Sequence, residues 1–189
     1  MNIASFAPLA VLLPILGAAL TFLLIRHSRA QRTVSIALLS LTLLLECWLL
    51  ASVWDGGTAA VNIGGWLPPW GIVMVVDQFS SLMLVVSSSV SLAVLIYATG
   101  QGMADGDRDA PVSIFHPTYL ILVAGVSNAF LAGDLFNLYV GFEILLTASY
   151  VLLTSGGTRE RLRAGAPYIV VSLLSSLIFL SAIAMIYAA

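Results

Sequence analysis

The sequence predicts an all-α polytopic membrane bundle of six helices, and three observations carry that prediction. Sixty per cent of its 189 residues are hydrophobic and only 8% are charged, with a mean hydropathy of +1.07. A water-soluble domain of this length cannot cover so much apolar surface, so its solvent is lipid. The apolar runs are also continuous and lack the period-two alternation of a membrane β-barrel. Finally, all seven basic residues are arginines that fall between the runs.

The first expected span is Phe6 to Ile25, interrupted by Pro8, Pro14 and Gly17. It reads as a retained helix rather than a signal peptide. No positive charge precedes it, and Arg26-His27-Ser28-Arg29 stands where a small-residue cleavage site belongs. Pro14 is expected to kink it by removing a backbone hydrogen bond. A loop from Arg26 to Arg32 leads to the second span, Thr33 to Val53, which contains Glu46. Trp54, Trp66 and Trp70 mark a long Gly/Pro-containing loop and fit an interfacial aromatic belt. Asp77 is placed to cap the third span, Phe79 to Ala98. The stretch Thr99 to His116, with Asp105, Asp107, Arg108 and Asp109, is too polar to enter lipid.

The fourth span is Pro117 to Ala132 and the fifth is Leu135 to Leu153. Only Gly133-Asp134 lies between them, so the pair reads as a helical hairpin. Ser155 to Gly165 is a charged loop with Arg159, Glu160, Arg161 and Arg163. Pro167, tolerated in a first helical turn, opens the sixth span, Ala166 to Tyr187. Residues 1–189 thus form a single membrane domain. With the N-terminus outside, loops one, three and five hold all seven arginines, and loops two and four hold none. The positive-inside rule then places both termini outside.

Glu143 is the leading functional candidate. Nine residues separate it from Asp134, about 14 Å of helix, which is close to half of a hydrocarbon core about 30 Å thick. An ionised carboxylate there costs at least about 2.5–3.5 kcal/mol, and such a group usually moves a proton or a cation. The plainer alternative is a protonated acid that ties helices together. Tyr139, Thr147 and Tyr150 share its helical face and are candidate supporting hydroxyls.

Glu46 is a second candidate, about 11 Å from the end of its helix and expected nearer the outer interface. Asp77 and Asp134 lie at helix ends, where capping accounts for them; a role for Asp134 in ion access is the alternative. Asn128 and Asn137 are expected to pair across the hairpin. Ser172, Ser175, Ser176 and Ser181, like Ser87, Ser88, Ser89 and Ser91, are expected mainly to let helices pack closely. The chain has no lysine, so Glu143 has no buried cationic partner within it.

Other chemistries find no support. Cys47 is the lone cysteine, and His27 and His116 fall in different loops, so no zinc, haem or iron–sulfur site is expected. No basic patch suits nucleic acid. The chain is expected to need no cofactor.

The stretch Gly133-Asp134-Leu135-Phe136-Asn137-Leu138-Tyr139-Val140-Gly141-Phe142-Glu143-Ile144-Leu145-Leu146-Thr147-Ala148-Ser149-Tyr150 resembles a fifth-helix signature. That signature belongs to the antiporter-like membrane subunits shared by respiratory complex I and the Mrp-type Na⁺/H⁺ antiporters. Gly64-Gly65-Trp66 through Asp77 and Gly156-Gly157-Thr158-Arg159-Glu160-Arg161-Leu162 are most similar to the N-terminal part of the D subunits of the Mrp type. The resemblance covers essentially the whole chain.

The resemblance implies a proton-translocating glutamate at Glu143. In the family this residue pairs with a lysine on the seventh helix of a fourteen-helix subunit built from two inverted repeats. This chain ends after helix six, so relative to that subunit it is expected to be incomplete, truncated or split. The implied function is that of a membrane subunit of a multi-subunit cation/proton antiporter in the plasma membrane, with protons, Na⁺ or another monovalent cation, and other membrane subunits as partners. One rival is a proton-pumping subunit of an NADH:quinone oxidoreductase-type complex, whose redox chemistry resides in its partners. Another is a structural subunit that only supports assembly. None of the three makes this chain an enzyme in itself.

Overall fold

The computed structural model describes residues 3–54, 57–66, 71–101, 114–155 and 159–188. Six helices dominate it: α1 (Leu9–Leu23), α2 (Ser28–Trp54), α3 (Gln78–Gly100), α4 (Phe115–Leu131), α5 (Leu135–Thr154) and α6 (Arg159–Ala188). A short 3-10 turn, Ile3–Phe6, precedes α1. Between α2 and α3 lie two strands, β1 (Ala59–Asn62) and β2 (Val73–Val76). Trp70, the polar stretch 102–113 with Arg108, and Gly156-Gly157-Thr158 lie outside the described residues.

Helices α2, α3, α5 and α6 are long and apolar enough to cross a membrane. Residues 7–23, which include α1, and α4 are shorter apolar helices. At seventeen residues, α4 is about 25 Å long, the low end of what spans a bilayer. Six of the seven arginines, Arg26 just after α1 and the others in the first turns of α2 and α6, lie at the end of the bundle opposite the two strands.

Two helices begin earlier than the sequence suggested. Helix α2 starts at Ser28, so Arg29 and Arg32 belong to its first turns rather than to a loop. Likewise α6 starts at Arg159, taking in Arg161 and Arg163, and Pro167 sits inside it instead of opening it. Arginine is a good helix former, and a helix can emerge from lipid and continue in water. Pro167 removes one backbone hydrogen bond without ending the helix. Helix α1 runs unbroken through Pro14.

The expected loop between α2 and α3 folds into an antiparallel hairpin, pairing Ala59 with Val76 through Asn62 with Val73. Its strands are four residues each, too short to give a clear periodic signal. Glycines relieve the chain just past β1, where Gly64 and Gly65 have φ of 69° and 77°. Met74 and Val76 bury their side chains with Ala7, Ala10, Val11, Leu49 and Leu84. The hairpin therefore closes one end of the bundle.

Helix α4 is the centre of the packing. It buries ten residues, among them His116, Leu120, Val123, Ala124, Ser127 and Leu131. One apolar cluster joins it to the hairpin and α1–α3, through Ala124 and Leu131. A second joins Tyr119, Leu120 and Val123 to Ala18, Leu39 and Leu95.

Candidate functional site

The site is built on the crossing of α4 and α5, where two glycines bring the backbones together. A Cβ on Gly125 would stand 2.7 Å from the Leu145 amide nitrogen and 3.1 Å from the Gly141 carbonyl oxygen. One on Gly141 would stand 2.9 Å from both the Ala129 nitrogen and Asn128 Nδ2. Small residues permit this approach between membrane helices, and it fixes Glu143, two residues beyond Gly141. The expected asparagine pair forms as well. Asn128 Nδ2 donates to Asn137 Oδ1 at 3.0 Å and to the Asn137 carbonyl at 3.2 Å.

Asp134 caps α5 as expected, with Oδ1 accepting from the Asn137 amide at 2.7 Å. Its other oxygen, Oδ2, accepts from the Val73 amide of β2 at 2.9 Å. The Gly133 amide donates to the Val73 carbonyl at 2.8 Å. The α4–α5 turn is thus stitched to the hairpin. Asp77 forms a capping box with Ser80 at the start of α3.

Glu143 is the ninth residue of the twenty in α5, near the helix middle. It is half-buried. Its hydrogen-bond partner is Ser176 of α6, whose hydroxyl donates to Oε1. The four α6 serines are therefore not equivalent. Ser175 and Ser181 donate to carbonyls of their own helix, Val171 and Leu177, while Ser176 is the buried one among the four. Helical spacing within α5 cannot reveal a partner on α6, which is why sequence reasoning passed over Ser176.

Of the supporting hydroxyls expected on α5, Thr147 stands with Glu143 in a groove of about 350 Å³. Thr118, Ile121, Ile144 and Val151 line the rest. The groove runs from Glu143 toward Val151 and the C-terminal end of α5, on the arginine-bearing side of the bundle. Tyr139 and Tyr150 instead pack edge-on against α6 rings, Phe179 and Tyr168, with centroids 5.9 and 5.6 Å apart. Asp134 lines a separate cavity of about 520 Å³ at the hairpin end, with Phe136, Ile183 and Tyr187.

Glu46 faces the protein interior. It is 0% exposed, on the inner face of α2 among α3 and α4. The interior closes over it because α2 turns one stripe, Ser35, Leu39, Thr42, Glu46, Leu49 and Val53, wholly inward. Cys47, next to it, is exposed. His116 lies not in a loop but buried on α4, with Nδ1 2.9 Å from the Ser35 hydroxyl. Among the described residues no group of three or more His, Cys, Asp or Glu could hold a metal ion.

Residues 132–189 match the family described as NADH:quinone oxidoreductase/Mrp antiporter, TM. The chain is 35% identical over 179 residues to the D subunit of the Na(+)/H(+) antiporter of Alkalihalophilus pseudofirmus, covering 95% of this chain and 36% of that one. It is 42% identical over 133 residues to the D subunit of a probable K(+)/H(+) antiporter of Rhizobium meliloti, covering 70% and 24%. The solved Mrp complex of a Dietzia species contains a chain that superposes with a TM-score of 0.87 at 32% identity. That superposition covers 100% of this chain and 35% of the other. The chain thus spans between about a quarter and little more than a third of these relatives, and like them it is a multi-pass membrane protein.

Proposed function

Since this chain belongs to the antiporter-like membrane subunits shared by Mrp antiporters and NADH:quinone oxidoreductases, we propose that it forms part of an ion-translocating subunit of a multi-subunit monovalent cation/proton antiporter in the plasma membrane. Glu143 is its proton-carrying group. The observation that carries this reading is the placement of Glu143: mid-helix, bonded to Ser176 on one side and bordering a groove toward the arginine-bearing end on the other.

The chemistry follows from that arrangement. When Glu143 is the neutral acid, Oε1 accepts from Ser176 and the acid proton on Oε2 is free to leave by the groove, past Thr147 and Thr118. When the proton has left, Ser176 still donates to the carboxylate and partly offsets its burial. An unpaired carboxylate at this depth attracts a cation or another proton, and exchange of the two is antiport. The chain works with other membrane subunits, and the exchange requires no cofactor on this chain. Sodium is the proposed coupled ion, because the Alkalihalophilus pseudofirmus relative is named for it.

The test is Glu143→Gln in the assembled complex, read as cation-driven proton movement in everted vesicles with sodium or potassium. Loss of antiport with normal assembly is the expected result. Normal antiport would sink the reading, and failure to assemble would favour a structural role. Activity with potassium alone would change the ion and leave the role of Glu143 in place.

A further inference from the structure

A second carboxyl lies in the α2–α3–α4 core, away from everything the Glu143 reading uses. Glu46 is 0% exposed. The hydroxyls of Ser88 on α3 and Ser127 on α4 face it, themselves 1% and 2% exposed. Neither carboxyl oxygen reaches full hydrogen-bond geometry, and neither does Ser88 Oγ. Three helices therefore bring oxygen groups to one enclosed point.

The surrounding charges are sparse. Helices α1 and α3 contain no Asp, Glu, Lys, Arg or His. Helix α4 contributes one such residue, His116, which is engaged with Ser35, eleven residues and about 16 Å along α2 from Glu46. The α2 arginines, Arg29 and Arg32, are further still along the helix. An ionised Glu46 would therefore be a buried charge without a counter-charge, an arrangement proteins avoid by neutralising the group. A proton neutralises it without adding volume to a close-packed interior.

We propose that Glu46, Ser88 and Ser127 form a second proton-binding site in this chain, in which the Glu46 carboxyl keeps its proton and donates it to one of the two serine hydroxyls. The other carboxyl oxygen remains the acceptor for the remaining hydroxyl. The site uses no residue of α5 or α6, and the proposal does not rest on the role of Glu143.

Infrared spectroscopy of the assembled complex tests it, because a protonated carboxyl has its own carbonyl stretch. Spectra are compared between Glu143→Gln protein and the Glu46→Gln/Glu143→Gln double variant. The expected result is loss of one protonated-acid band in the double variant. An unchanged band region overturns the proposal. Should the double variant fail to accumulate, Glu46→Asp in the Glu143→Gln background is expected to shift the band, and an unshifted band is equally fatal. Ser88→Ala with Ser127→Ala should move the band to higher frequency as its hydrogen bond is lost; no movement refutes the serine assignment. Disappearance of the band on adding sodium chloride at constant pH would show a cation site instead.

Discussion

Ten of the seventeen residues of α4 are buried, whereas α6, with thirty, buries three of its described residues, Gly165, Ser176 and Ile183. Both are apolar, so hydrophobicity does not separate them. Helix α4 has Gly125, Ser127 and Asn128 on its buried surface and is surrounded by four helices and the hairpin. Helix α6 presents Val170, Val171, Leu174, Leu177, Ile178 and Ile186 outward. In lipid a leucine gains little by meeting another leucine, and close packing with hydrogen bonds decides which helices become central. The difference teaches that small and polar residues, rather than the apolar majority, mark the core here. It also explains why Ser176, the single α6 serine that is buried, is the one that meets Glu143.

The sharpest way to break this contrast is to overfill the α4–α5 crossing. Gly125→Leu places a side chain against backbone atoms and should cost about 3 kcal/mol, seen as loss of the protein from membranes by immunoblot. Cutting the asparagine pair is milder. Asn128→Leu should lower stability by about 1 kcal/mol, measured as a lower unfolding temperature in detergent. Ser176→Ala should leave assembly intact and slow antiport about threefold, corresponding to about 0.6 kcal/mol for one polar contact in a membrane. A rate equal to the unaltered protein would remove Ser176 from the proposed mechanism. The smallest effect belongs to the outer face of α6. Leu177→Ala should change the unfolding free energy of this chain by less than about 0.5 kcal/mol, and a larger loss would show that this face is packed.

Local chemistry was legible in the sequence where it depends on neighbours along the chain. Asp77 and Asp134 cap their helices, Asn128 meets Asn137 across a tight hairpin, and Glu143 lies mid-helix. Contacts between distant segments were not. Nothing local pairs Ser176 with Glu143, 33 residues away, or turns Glu46 inward while Cys47 faces out. The hairpin escaped notice because eight strand residues lie within a glycine- and proline-containing stretch. Helix starts at Ser28 and Arg159 escaped because charge marks the edge of lipid and not the end of a helix.

The turn joining α4 to α5 also constrains how the protein is made. Three residues, Ala132 to Asp134, connect the helices, and the Asn128 side chain of α4 donates to Asn137 of α5. Helix α4 is short, and alone it would carry Asn128 into hydrocarbon without that partner. The two helices are therefore expected to leave the translocon for the lipid as one unit. A nascent chain stopped before Leu135 would leave α4 at the membrane surface, and glycosylation mapping of ribosome-bound intermediates would record the step.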